Sequence, residues 1–154
     1  MSVGGVLRIP LRRFEDERGW FCELRRDSGL PRRMVQTNLS FSRKGVIRGL
    51  HYHERGQDDL FACLRGTARV VILDRATGAT FTEDIGDENP VAIYVPGYHA
   101  HGYEALTDLL FCYHVTEEYD PADPDEHGIA WDDPRVAHLW STTTPILSAR
   151  DAAP

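Results

Sequence analysis

The chain has 154 residues, of which 42% are hydrophobic and 27% charged, and its formal net charge is −7. These values are typical of one soluble globular domain, and we assign residues 1–154 to it. The acidic balance argues against a nucleic-acid-binding protein, and no apolar run approaches the length of a membrane span. The N-terminus lacks a signal-peptide pattern, and three widely spaced cysteines suit reduced thiols, so we expect a cytoplasmic protein.

The basic residues are concentrated in the first third of the chain. Residues 1–48 hold eleven of the 17 basic residues and only five of the 24 acidic ones, and 16 of the 17 are arginine. The planar guanidinium suits bidentate phosphate binding, so this third is a candidate for contacting a small phosphorylated ligand. Composition alone favours the alternative, a solvated arginine-rich surface.

Short β-rich runs separated by turns dominate the chain. In order, the predicted strands are 18–26, 34–42, 46–53, 59–66, 68–74, 91–96 and 109–115. The intervening "RATGAT", "GDENP" and "PGYHAHG" are rich in turn-forming residues. Residues 118–134 indicate an ordered surface excursion, and only short helical turns are expected near the C-terminus. The pattern predicts an all-β sandwich or barrel.

A small β-barrel can enclose one small ligand, so polar residues near the middle or ends of strands are candidate site residues. Residues two apart on a strand share a face. The candidates are Gln36 and Asn38, Arg48, His51 and His53, Tyr113, and the pair His99 and His101 after the "VPG" turn.

Six segments, in order, resemble the dTDP-4-dehydrorhamnose 3,5-epimerase family of nucleotide-sugar epimerases. They are "FEDERGWFCE" (14–23), "VQTNLSFSRKGVIRGLHY" (35–52), "VPGYHAHGYEALTD" (95–108), "YHVTEEYDP" (113–121), "GIAWDDP" (128–134) and "LSARD" (147–151). The resemblance implies a cupin-type jelly roll. It also implies C3 or C5 epimerisation, or both, of a dTDP-linked 4-keto-6-deoxy sugar in deoxysugar biosynthesis, without metal or cofactor.

The resemblance also implies three catalytic roles. His51 in R-G-L-H is the base, Asp151 orients it, and Tyr113 is the acid on the other sugar face. The residue chemistry agrees, because histidine has a pKa near neutrality and a carboxylate fixes its tautomer and stabilises its charged form. A tyrosine hydroxyl can return the proton from the opposite side.

The resemblance further implies a substrate-binding set and a homodimer that exchanges an N-terminal strand. In this dimer Arg18, Phe21 and Glu23 of one subunit join Gln36 and Asn38 of the other. Arg48 completes the nucleotide-binding set, His101 lies beside the sugar, and Tyr119 closes its motif.

Two residues depart from the family pattern. His53 stands where the family usually has glutamine, and Asp59 stands where it has a lysine thought to hold the enolate oxygen. Arg48, His53 or His101 could take over this role. We expect it to be His53, which shares a strand face with His51, with Asp59 raising its pKa and keeping it cationic near pH 7.

The same departures leave two alternatives open. One is a metal-binding cupin enzyme, since His51, His53, Asp58 and either His99 or His101 resemble an H-x-H metal layout. The other is a catalytically silent cupin that binds a sugar nucleotide, which loss of the lysine would permit.

Overall fold

The computed structural model describes residues 2–154, and the regular secondary structure in this range is almost entirely β-strand. The strands are β1 (Leu7–Pro10), β2 (Arg13–Asp16), β3 (Gly19–Cys22), β4 (Gln36–Ser42), β5 (Ile47–Tyr52), β6 (Asp58–Arg65), β7 (Thr67–Leu73), β8 (Thr80–Gly86), β9 (Val91–Pro96), β10 (Ala100–Ala105), β11 (Leu109–Val115) and β12 (His127–Gly128). The helical segments are 3-10 turns at Asp27–Gly29 and Ala137–Leu139, and α1 (Ala149–Ala152).

Two antiparallel five-stranded sheets form the body of the protein. Their strand orders are β1-β9-β6-β11-β4 and β12-β5-β10-β7-β8, and β2 and β3 form a separate hairpin. Apolar side chains from both sheets share one buried cluster, which includes Val70, Ile72, Ile93 and Phe111. The predicted all-β, cupin-type jelly roll is therefore confirmed.

The core extends to both faces of the sheets. On β9, Ile93 and Val95 lie in the cluster between the sheets, whereas Ala92 and Tyr94 lie in a second cluster with Leu11. Strands buried on both faces read as continuous apolar runs, as "VAIYV" does. This packing makes the central strands a rigid support for polar side chains at their ends.

The edge strand β4 has an inverted pattern. Leu39 and Phe41 are 63% and 54% exposed, whereas the alternate Asn38 and Ser40 are half-buried and Ser42 is buried. Alternation along a strand separates the two sets onto opposite faces. The polar face therefore points into the protein and the apolar face points outward.

Several predicted bounds differ from the structure. The "HAHG" segment was predicted as a turn but starts β10, whose six residues are all buried. The predicted strand 18–26 ends at Cys22 and pairs only with β2. Strand β8 was not predicted, because "TFTEDIG" is too polar to stand out. Among residues 2–154, no helix is long and apolar enough to cross a membrane.

Candidate active site

A cavity of about 650 Å³ opens between the two sheets and the C-terminal segment. Its walls include predicted site residues from four strands and α1, namely Arg48, His51, His53, Asp59, His101, Tyr113 and Asp151. Apolar side chains such as Phe61 and Phe111 line the remainder. This combination of apolar walls and convergent polar groups is typical of a small-molecule site.

His51 lies on β5, directly opposite His101 on β10. The two strands approach closely beside this pair. A Cβ atom on Gly49 would lie 2.8 Å from the Cα atom of Gly102, and Gly49 has a φ of +144°. Glycine is therefore required at position 49, two residues before His51 in the R-G-L-H segment.

His51 and Asp151 form the predicted pair. The Nε2 atom of His51 lies 2.7 Å from Oδ1 of Asp151, and the other carboxylate oxygen accepts a hydrogen bond from the Gly49 N–H at 3.2 Å. Burial opposes ionisation of Asp151, but the hydrogen bond and charge of His51 outweigh it and lower the pKa of Asp151. The carboxylate is thus held ionised against the imidazole.

The short helix α1 places Asp151 at this position. Ser148 caps the helix, and its hydroxyl oxygen accepts a hydrogen bond from the Asp151 N–H at 3.1 Å. A serine cap satisfies a backbone N–H that would otherwise lack a partner. As a result the Asp151 side chain is only 6% exposed, although it lies close to the end of the chain.

Tyr113 projects from β11 and lines the same cavity. Burial raises its pKa, and the negative charge of Asp59 raises it further. The hydroxyl therefore keeps its proton throughout the neutral pH range, as a proton donor requires.

Arg48 is fixed at the cavity wall by the polar face of β4. Its Nε donates to the Ser42 hydroxyl at 2.9 Å, and its Nη2 donates to the Phe41 carbonyl at 3.1 Å. The hydroxyls of Ser42 and Tyr103 lie 2.9 Å apart. This arrangement keeps a positive charge beside the cavity.

His53, Asp59 and His101 form a buried cluster at the cavity wall. The Nε2 atoms of His53 and His101 lie 3.8 Å and 3.5 Å from the Asp59 carboxylate. The predicted pairing of His53 with Asp59 is therefore present. However, burial and the charge of His101 outweigh Asp59 and lower the pKa of His53. The expectation that Asp59 keeps His53 cationic near pH 7 is wrong.

The predicted metal set needs correction as well. Asp58 faces away from the cluster, because its carboxylate accepts hydrogen bonds from the Tyr94 hydroxyl and the Gly97 N–H. The Nε2 atom of His99 bonds the Gly4 carbonyl instead. Within residues 2–154, the group close enough to hold a metal ion is His53, Asp59 and His101, without His51.

A second cavity, of about 710 Å³, adjoins the first. Gln57, Tyr113 and Glu126 line both. The predicted nucleotide-binding residues Gln36, Asn38 and Tyr119 line the second cavity. The Gln36 amide nitrogen donates to Asn38 Oδ1 at 3.0 Å, while its oxygen accepts from the Tyr119 N–H at 2.9 Å.

Three predicted binding residues lie away from both cavities of their own chain. Arg18, Phe21 and Glu23 belong to the hairpin region and are exposed. Arg18 pairs with Asp16 at 2.5 Å, and Phe21 is 66% exposed. This placement is compatible with their predicted role at the site of a partner subunit.

The cavity residues that the sequence analysis did not name include Arg150, Gln57 and Glu126. Arg150 lies with its Nη2 atom 3.2 Å from His51 Nε2 and pairs with Glu126 at 2.6 Å. Gln57 contacts both His53 and Asp59. Arg150 lies in the "LSARD" segment and Gln57 lies two residues before Asp59, and these positions were the available signal. Glu126 lies in the irregular excursion 118–134, where no periodicity marks it.

The sequence profile of the dTDP-4-dehydrorhamnose 3,5-epimerase family matches residues 1–154. The spore coat polysaccharide biosynthesis protein SpsL of Bacillus subtilis is 38% identical over 148 residues, covering 91% of this chain and 97% of that protein.

Two solved structures agree in fold over 99% of this chain. NovW, a 4-keto-6-deoxy sugar epimerase from the novobiocin cluster of Streptomyces spheroides, has a TM-score of 0.89 and 33% identity, with 83% of its chain covered. The Legionella pneumophila dTDP-6-deoxy-D-glucose-3,5-epimerase, solved with dTDP-4-keto-L-rhamnose, has a TM-score of 0.88 and 30% identity, with 88% covered. Because the family profile matches residues 1–154 and the fold agrees over 99% of the chain, this chain belongs to the dTDP-4-dehydrorhamnose 3,5-epimerase family.

Proposed function

We propose that the protein epimerises a dTDP-linked 4-keto-6-deoxy sugar at C3, at C5 or at both, as a step of deoxysugar biosynthesis. The observation that carries this proposal is the His51–Asp151 pair at the wall of a cavity that Tyr113 also lines. Family membership supports the class of substrate.

The proposed chemistry uses His51 on one face of the sugar carbon and Tyr113 on the other. His51 removes the proton from the carbon next to the ketone, and the electron pair moves onto the C4 oxygen to give an enolate. Asp151 stabilises the imidazolium that forms. Tyr113 then gives its proton to the opposite face of the carbon, which inverts the centre.

The second cavity is a suitable place for the nucleotide, but its charge is unfavourable for phosphate. Its lining contains six carboxylates, those of Glu117, Glu118, Asp120, Asp123, Asp125 and Glu126. Arg55 also lines it, but its guanidinium is paired with Asp123 at 2.7 Å. A diphosphate needs further cations, and charge-assisted bonds from arginine are the usual source.

The proposed homodimer would supply these cations. Strand β4 lies at the edge of its sheet and exposes the apolar side chains of Leu39 and Phe41. The hairpin of β2 and β3 exposes Trp20 and Phe21. Placing the hairpin of one subunit against β4 of the other would cover both surfaces. It would also bring Arg18 towards the partner's nucleotide cavity, where the diphosphate would compete with Asp16 for its guanidinium.

The test is incubation with a dTDP-4-keto-6-deoxyhexose in heavy water, followed by NMR of each ring position. We expect deuterium at C3 or C5, or at both, together with an inverted product. Binding of dTDP without any deuterium incorporation would instead identify a silent sugar-nucleotide-binding protein.

A further inference from the structure

The proton-transfer scheme proposed above gives no role to the buried cluster of His53, Asp59 and His101. The three residues are 4%, 4% and 3% exposed. They come from the residue after β5, from β6 and from β10, and their ligand atoms all lie within 4.8 Å of one another. Such a group is rarely buried unless its members are paired with each other or with an ion.

Both imidazoles are oriented by backbone carbonyl groups. The Nδ1 atom of His53 lies 2.6 Å from the Asp125 carbonyl oxygen, and Nδ1 of His101 lies 2.9 Å from that of His99. A carbonyl only accepts, so each Nδ1 carries the proton. Each Nε2 atom faces Asp59, and in the neutral form of either ring its lone pair would be available to a cation held there. A carbonyl group bonded to the other ring nitrogen is typical of metal-binding histidines.

The position between these acceptors already attracts a positively polarised group. The Gln57 amide nitrogen lies 3.1 Å from His53 Nε2 and 2.9 Å from Asp59 Oδ1. Its two N–H bonds can satisfy these two atoms only. Asp59 Oδ2 faces His101 Nε2 at 3.5 Å, and a cation bound between the carboxylate and the Nε2 atoms would compensate the buried negative charge.

We infer that His53 Nε2, the Asp59 carboxylate and His101 Nε2 bind one divalent transition-metal ion, such as Zn²⁺, Fe²⁺ or Mn²⁺. Two imidazoles and one carboxylate are a ligand set that these ions accept, and three protein ligands leave a position open for another group. Gln57 turns aside when the ion binds.

The position of the site gives the ion a role, and this role rests on the proposed function. All three ligands line the cavity that contains His51 and Tyr113. An ion there would accept the C4 oxygen of the sugar and stabilise the enolate charge. It would thereby replace the lysine that Asp59 has displaced from the family pattern, a departure from the metal-free reaction that the resemblance implies.

The base and the metal site stay separate. Nε2 of His51 is bonded to Asp151, and His51 does not belong to the close group. The ion would therefore act on the ketone oxygen while His51 acts on the neighbouring carbon.

The test is titration of chelator-treated, tag-free protein with Co²⁺, read by its visible ligand-field absorption and by metal analysis after gel filtration. We expect one equivalent to bind. Its absorption band should be lost in His53→Gln and in Asp59→Lys, and it should be retained in His138→Gln, which alters an exposed histidine outside both cavities. Thermal unfolding of each variant establishes that it is folded.

A folded native protein that takes up no Co²⁺, or that takes up the same amount with the same spectrum in Asp59→Lys, would overturn the inference. If either His53→Gln or Asp59→Lys fails to fold, the Co²⁺ titration of the other variant tests the site. Anomalous scattering from Co²⁺-soaked crystals locates the ion independently. Deuterium exchange by the metal-free protein separates the two proposals. Exchange without metal uptake refutes the site alone, whereas uptake without exchange in either form refutes the epimerase alone.

Discussion

His51 and Asp151 are joined by a 2.7 Å contact although they lie one hundred residues apart. The contact links β5, which lines the 650 Å³ cavity, to the four-residue helix α1 near residue 154. The C-terminal segment that leads to this helix packs on the second sheet, where Val136 and Trp140 bury their side chains against Ile47 and Leu50. We therefore expect the His51–Asp151 pair to depend on this packing.

Replacing the proposed base should slow the reaction strongly without weakening nucleotide binding. We expect His51→Asn to lower deuterium exchange by about 10²–10⁴-fold, the usual contribution of general base catalysis. Binding of dTDP, measured by calorimetry, should stay close to the native value. His138→Asn is the matched control and should leave both quantities unchanged. Exchange at the native rate in folded His51→Asn would refute the assignment.

Replacing the acid should separate proton removal from inversion. In Tyr113→Phe the base is intact, so we expect deuterium uptake to continue with retention of configuration. Formation of the inverted product should fall by on the order of 10²-fold. NMR follows both processes in one sample of substrate in heavy water. Equal loss of exchange and inversion would show that Tyr113 is not specific to the second step.

Arg18→Ala tests the contribution of the hairpin to a partner subunit. Losing a charge-assisted hydrogen bond commonly costs about 1.5–3 kcal/mol, so we expect dTDP affinity to fall roughly 10–150-fold. The variant should remain folded, because Arg18 is exposed. Arg43→Ala removes an exposed arginine that lines neither cavity and should leave the affinity unchanged. A native protein that is monomeric, with full affinity, would contradict the exchanged dimer.

Buried histidine should make stability fall below neutral pH. Burial, together with the charge of Arg25, lowers the pKa of His114, whose Nδ1 lies 2.8 Å from the Thr37 hydroxyl. The unfolded chain protonates histidine near pH 6.5. Below that pH the unfolded state binds more protons than the folded state, so stability is lost as the pH falls from about 6.5.

Urea unfolding at pH 8.0, 6.5 and 5.5 measures this loss. His114→Gln should reduce the slope of the unfolding free energy against pH by the equivalent of up to one proton. His138→Gln alters an exposed histidine and should leave this slope unchanged. Carboxylates with lowered pKa values, such as Asp133 at about 2, contribute only at more acidic pH. An unchanged slope in His114→Gln would show that His114 does not cause the loss of stability at low pH.

Local sequence determined much of the strand framework and the central motif. Apolar runs such as "VAIYV" predict buried strands, and the bounds of β9 and β11 were predicted correctly. The two-residue spacing of His51 and His53 also predicted that both would line one cavity, as they do. These features depend on strand periodicity, which is a property of neighbouring residues.

Only the tertiary structure decided which distant groups meet and how they ionise. Asp58 and Asp59 are adjacent and equivalent in sequence, yet the packing of β6 turns Asp59 into the cavity and Asp58 towards Tyr94. The lowered pKa of His53 reflects burial and His101, not the one carboxylate that the sequence placed nearby. Desolvation and long-range contacts depend on the packing of whole sheets, which the periodicity of a single strand does not determine.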